Sequence, residues 1–195
     1  MALSTDDLPT APLPRAATLG LFWAWALHDI EELLTHRQWY REDLPALRER
    51  GKRLPEPVWR ALEVSPAEFA RAVAVMAFVV GAAAGEGRRT GGRSAFYQSA
   101  LTGFGAHGLV HLAQAAVTRS RTPGAVTAPV LVIPFALWAR SRLRRAGLLH
   151  RQGPRDVVRG ALAVAAATAV SHAVARRPRR TKAAEREAAA AARRP

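Results

Sequence analysis

Six side chains in the 195-residue chain combine a type and a spacing that could do chemistry: His28, Glu31, Glu32, His107, His111 and His172. His28 precedes Glu31 by three residues and Glu32 by four, so on a helix both carboxylates flank the imidazole on one face. His107 and His111 repeat the four-residue interval, and two imidazoles so placed can hold one metal ion, as in zinc sites. A carboxylate three residues from a histidine also matches, in reverse order, the Glu-x-x-His pairs of di-iron helix bundles. The chain has no cysteine, which excludes thiolate ligands and disulfides. A metal centre here must use imidazole and carboxylate, a donor set suited to iron, zinc or manganese.

The surroundings of these groups are apolar. His28, Asp29, Glu31 and Glu32 interrupt the far end of a run that is otherwise apolar over residues 16–34. An acid at the centre of a membrane helix costs about 2.5–3.5 kcal/mol, so such a run needs partners for its charges. Apolar residues make up 49% of the chain, yet its mean hydropathy is near neutral, because apolar blocks alternate with arginine-rich connectors. The net charge is +14, and only Lys52 and Lys182 among the 29 basic residues are lysines. Nucleic-acid binding would account for such a charge. So would the loops of a membrane protein meeting anionic headgroups. The charges lie in connectors without interleaved aromatics, so the bilayer is the expected partner and nucleic acid is not.

Five apolar runs must position the six side chains: residues 16–34, 69–85, 95–117, 125–139 and 157–175. The expected fold is all-α, a polytopic helical membrane bundle of about five transmembrane helices. Residues 1–15 are expected as a flexible leader without the basic start of a secretory signal, residues 16–175 as the membrane domain, and residues 176–195 as a basic, alanine-rich tail. Ser65-Pro66-Ala67-Glu68 reads as a capping box with proline at the first helical position. The connector over 37–64 has room for a short surface helix near Val58, and 85–92 reads as a glycine-rich turn. Trp23, Trp25, Trp39 and Tyr40 suit lipid contact and an interfacial belt. Gly103, Gly105 and Gly108 would let helices approach closely in lipid. Pro129 and Pro134 would kink the fourth run without forbidding a span.

If all five runs cross, the first, third and fifth are parallel. Counted back from the first arginine after each run, His28 lies 9 residues in, Glu32 5, His107 12, His111 8 and His172 4. At 1.5 Å per residue that is roughly 6–18 Å of depth, all in one half of the bilayer. The three helices would therefore present their polar groups at one level. Asp29 is rotated about 100° from His28; His36 and His150, at the edge of a run and in a connector, are expected to be solvated. Gly103-Phe104-Gly105-Ala106-His107-Gly108 matches Gly-x-Gly-x-x-Gly, but it follows no strand and Thr127 stands where the ribose-binding acid belongs, so it is no dinucleotide site. No phosphate loop or Gly-x-Ser-x-Gly elbow is present.

His28-Asp29-Ile30-Glu31-Glu32 resembles the name motif of a family of bacterial membrane proteins called HXXEE. That family's second signature is Asn-x-x-x-His in a later apolar helix; here His111 fits the histidine and His107 takes the place of asparagine. The stretch over 122–127 and the late His172 also resemble the family pattern, and the likeness extends over roughly 19–175. It implies an integral membrane helical domain, in the bacterial cell membrane, without implying an activity.

The leading functional expectation is a membrane-embedded metal-dependent enzyme acting on a lipid or isoprenoid substrate. His28, Glu31 or Glu32, His107, His111 and His172 would be ligands, and the other glutamate a general base. The same residues could instead run metal-free acid–base isomerisation, mark a proton or metal pathway, or only fix helix packing. Connectors on the side of the tail carry 17 basic residues against 10 on the other, which puts the tail in the cytoplasm by the positive-inside rule.

Overall fold

A computed structural model describes residues 13–50 and 55–150, with Ala166, Ala169, Val170, Ser171 and Ala173 from the fifth apolar run. The described residues hold helices and no strand. Helix α1 spans Arg15–Gln38 and passes through a π turn, Trp39–Asp43, into α2, Leu44–Glu49; α3 is Glu56–Leu62, α4 Pro66–Arg89 and α5 Ala95–Thr118. A second π turn, Ala128–Val132, leads into α6, Ile133–Arg145. The fold is all-α, as the apolar runs imply.

Local chemistry sets these boundaries. The Ser65 hydroxyl accepts the Glu68 amide at 3.3 Å and Pro66 occupies the first turn of α4, where a missing N–H is harmless. Ser94 caps α5 in the same way, through the Tyr97 amide. Helix α4 runs on to Arg89, so the expected 85–92 turn narrows to its end, where Gly91 and Gly92 take positive φ. Pro129 and Pro134 fall in the widened π turn and in the first turn of α6, places where a missing donor is tolerated. Helix α6 continues to Arg145, past the expected end of its run at Ala139, because Arg142, Arg144 and Arg145 suit the negative end of a helix dipole.

Cross-helix contacts define the directions. The His36 ring stacks on Phe69 and Phe22 faces Gly81, so α4 runs antiparallel to α1. The Tyr97 hydroxyl donates to the Ala17 carbonyl near the start of both α5 and α1, and His28 meets His111 further along both. Helices α1 and α5 are therefore parallel and in register, as expected for the first and third runs. Arg140 donates to Thr102 at 2.6 Å, and Gly105 and Gly108 face Ala136, Val132 and Ile133, which makes α6 antiparallel to α5. A Cβ at Gly105 would come within 2.9 Å of that of Ala136. This is the close approach that small residues permit between helices.

The core between these helices contains Leu21, Trp25, Tyr97, Leu101, Val132 and Leu143. Trp39, Leu44, Leu47 and Trp59 form a smaller cluster beneath α2 and α3. Trp25 and Trp39 are thus buried rather than facing lipid, while Trp23 is exposed. His36 is likewise buried, not solvated: its Nε2 lies 2.9 Å from the Val64 carbonyl. The chain entering α4 folds back over the end of α1 and covers it.

Many large apolar side chains point outward, among them Trp23, Leu27 and Leu34 on α1, Phe78 on α4, Leu109 and Val110 on α5, and Leu137 on α6. By length and composition α4 is the one described helix long and apolar enough to cross a membrane. Helix α1 carries three acids and two histidines in its second half, and α5 carries its own two histidines. The run over 157–175 lies almost wholly outside the described residues.

Candidate metal centre

His28, Glu32, His107 and His111 converge. His111 Nε2 lies 3.3 Å from His28 Nε2, 2.8 Å from His107 Nε2 and 3.1 Å from Glu32 Oε1. His28 Nε2 and Glu32 Oε1 are 4.0 Å apart. One ligand atom from each of the four residues lies within 4.8 Å of the other three. Zinc–nitrogen bonds of about 2.0–2.1 Å at a tetrahedral angle would place ligand atoms about 3.3–3.4 Å apart, close to the spacing seen. The three rings meet edge to face, at 72°, 85° and 89°, so their nitrogens aim inward instead of stacking. His28 is fully buried, and Glu32 and His111 nearly so.

Proton counting makes this arrangement expensive without a cation. The His111 Nε2 position carries one hydrogen or none, yet it faces two other imidazole nitrogens and a carboxylate oxygen. That hydrogen can satisfy only one of these neighbours, and any lone pairs left opposed cost about 1–3 kcal/mol each, unless His107 Nε2 or a protonated Glu32 supplies a further hydrogen. A cation among the four atoms would satisfy all of them. Among the described residues the donor set fits a divalent metal of the iron, zinc or manganese kind.

The segment between α5 and the second π turn covers the group. Glu31 turns out of it: its Oε1 accepts the Val126 amide at 3.3 Å, and its Oε2 accepts the Thr127 amide at 2.8 Å and also bonds the Thr127 hydroxyl. That hydroxyl is 2.6 Å from His28 Nδ1. The Pro123 carbonyl lies against the His111 imidazole. Gly124 has φ +78°, and a Cβ there would stand 2.8 Å from ring atoms of both His28 and His111. The main chain can approach the two rings only because this residue is glycine.

The structure brings together four of the six side chains that the spacing singled out. Glu31, expected as a ligand or a base, binds the covering segment instead, and His172 lies outside the described residues. Asp29, on the neighbouring face of α1, is buried with its Oδ1 lacking a hydrogen-bond partner among the described residues. Thr127 and Gly124 are the residues that spacing did not find. The likeness of 122–127 to the family pattern does not tie that stretch to a helix 95 residues earlier.

A family model described as "Protein of unknown function with HXXEE motif" matches residues 19–139. The chain belongs to the HXXEE family. The matched span covers most of α1 and extends into α6. It includes all four converging side chains together with Thr127 and Gly124, and it excludes His172. Its two glutamates do different things here: Glu32 of the HXXEE motif faces the imidazoles, and Glu31 faces the segment that covers them. No curated protein and no solved structure matches the chain.

Proposed function

We propose that this HXXEE protein is a membrane-embedded enzyme. In this reading His28, Glu32, His107 and His111 hold one divalent metal that acts on a lipid-soluble substrate. The observation that carries it is the meeting of three Nε2 atoms and one carboxylate oxygen in a buried, apolar setting. A bound divalent ion would polarise a substrate oxygen or generate a nucleophile from water. Glu32 supplies the single negative charge among the four ligands and is the one that can also take a proton.

Two features support lipid as solvent and as the source of substrate. Leu27 and Ile30 flank His28 and are half exposed, and Leu109 and Val110 stand outward between His107 and His111. The helices that carry the polar group thus turn apolar side chains outward, and exposed apolar surface marks a site of membrane or partner contact. In a bilayer the same exterior is solvated, which supports the polytopic bundle. Metal analysis of the full-length protein purified in detergent tests the centre: about one iron, zinc or manganese per chain is expected. No bound metal, with thermal stability unchanged by chelator, would remove it.

A metal-free acid–base enzyme is the second reading, favoured by the unbroken contacts from Glu31 through Thr127, His28 and His111 to Glu32. That chain could move a proton on a sterol-like or isoprenoid double bond. It predicts turnover that Glu32→Ala abolishes and chelator leaves untouched.

A further inference from the structure

Glu31 is half of the acid pair in the motif, yet it stands outside the converging group, and the hydrogens on Thr127 define what it does. Both Glu31 oxygens accept main-chain amides, from Val126 and Thr127, so this carboxylate acts as an acceptor. The Thr127 hydroxyl has one hydrogen and touches two groups, Glu31 Oε2 and His28 Nδ1. Towards a carboxylate it must donate. With that hydrogen committed, it can only accept from His28, so His28 carries its hydrogen on Nδ1. A neutral imidazole with Nδ1–H has a bare lone pair on Nε2, the atom that points at His111 and Glu32.

We infer that Glu31 is a positioning residue, which acts through Thr127 to fix the tautomer and ring orientation of His28 and so presents its Nε2 lone pair to the cluster. The opposite tautomer would leave one hydroxyl hydrogen between two acceptors, Glu31 and Nδ1. The arrangement is a carboxylate–hydroxyl–imidazole series, one atom longer than the direct carboxylate–histidine contact that orients many metal-binding histidines. Its consequence for metal affinity rests on the metal reading above; the tautomer itself does not.

The test uses full-length protein in detergent micelles, titrated with zinc and examined by nitrogen NMR of 15N-labelled histidine. His28 is assigned by its absence from a His28→Gln sample. Wild type without metal is expected to show His28 as the Nδ1–H form. Thr127→Val, which keeps the shape and removes the hydroxyl, and Glu31→Gln should each weaken zinc binding 10- to 100-fold and lose the single tautomer. Thr127→Ser should restore both. Wild-type His28 found as the Nε2–H form overturns the inference outright. Unchanged zinc affinity with an unchanged tautomer in a folded Thr127→Val protein overturns it equally. If wild type binds no zinc, the metal reading fails while the NMR result still judges the role of Glu31. If Thr127→Val does not fold, the wild-type tautomer and Glu31→Gln decide.

Discussion

His28 and His111, 83 residues apart in the chain, bring their Nε2 atoms to 3.3 Å. His111 is the hub of the group, because the same nitrogen also touches His107 and Glu32. His111→Ala should therefore reduce zinc affinity by more than about 100-fold, beyond the 10- to 100-fold effect of losing an outer partner. His150→Ala, in an exposed position, should leave it unchanged. Calorimetric titration of the detergent-solubilised protein reads both.

If the four side chains that tie α1 to α5 hold a metal, removing it should also loosen the fold. A chelator should lower Tm, and zinc at about 100 times its Kd should restore about 2.7 kcal/mol. Ligands must shed protons to bind a cation, so zinc affinity should fall as the pH is lowered. A Tm indifferent to both chelator and zinc would contradict the expectation.

Two glycines give a matched pair. At Gly124 a Cβ would meet both imidazoles at 2.8 Å in a positive-φ conformation, whereas at Gly85, within α4, nothing lies within 4 Å. Gly124→Ala should lose zinc binding and destabilise the protein by at least the roughly 1–2 kcal/mol of the left-handed backbone. Gly85→Ala should be neutral, or stabilising by up to about 1 kcal/mol through helix propensity.

Tyr97→Phe should separate the fold from the site. Its hydroxyl bonds the Ala17 carbonyl near the start of α1, more than two helical turns from His28. Loss of that buried bond should cost about 0.5–1.5 kcal/mol, seen as a lower Tm at unchanged zinc affinity. A loss of zinc binding would mean that the register of α1 on α5 depends on this one contact.

Phe78 tests the solvent. It projects from the outer face of α4 and is 80% exposed. In water Phe78→Asp would change stability by no more than about 0.5 kcal/mol. In a bilayer it should cost about 2.5–3.5 kcal/mol and lower the carbonate-resistant fraction of the protein in membranes. Equal recovery of both proteins from the soluble fraction would count against the membrane reading.

Helical spacing was enough to pair His28 with Glu32 and His107 with His111, because residues four apart share a face whatever the helix packs on. The count of depth from the flanking arginines also put α1 and α5 at a common level, and the parallel contacts Tyr97–Ala17 and His28–His111 agree with it. Spacing could not separate Glu31 from Glu32. Both flank His28, and which one faces the imidazoles depends on how α1 is rotated against α5 and on where the 122–127 segment returns. His36 is buried for a related reason: residues near Val64 fold back across it, which its position at the end of an apolar run does not reveal. Thr127 and Gly124 act through partners far away in the chain, so the likeness of 122–127 to the family pattern marks their stretch without giving either residue a role.

The distance along the chain between His28 and His111 bears on how the protein is made. In a bilayer, α1 would emerge from the ribosome with Glu31 and Glu32 already in place, while the imidazole of His111 and the main-chain amides of Val126 and Thr127 were still unmade. At about 5–20 residues per second, 83 residues take about 4–17 s to synthesise. During that interval each unpartnered acid opposes insertion by about 2.5–3.5 kcal/mol at the bilayer centre. Helix α1 would then wait at the interface or within the insertion machinery until α5 arrived. The two helices would enter the membrane as a pair, and assembly of the polar cluster would be a step in biogenesis as well as a condition of activity.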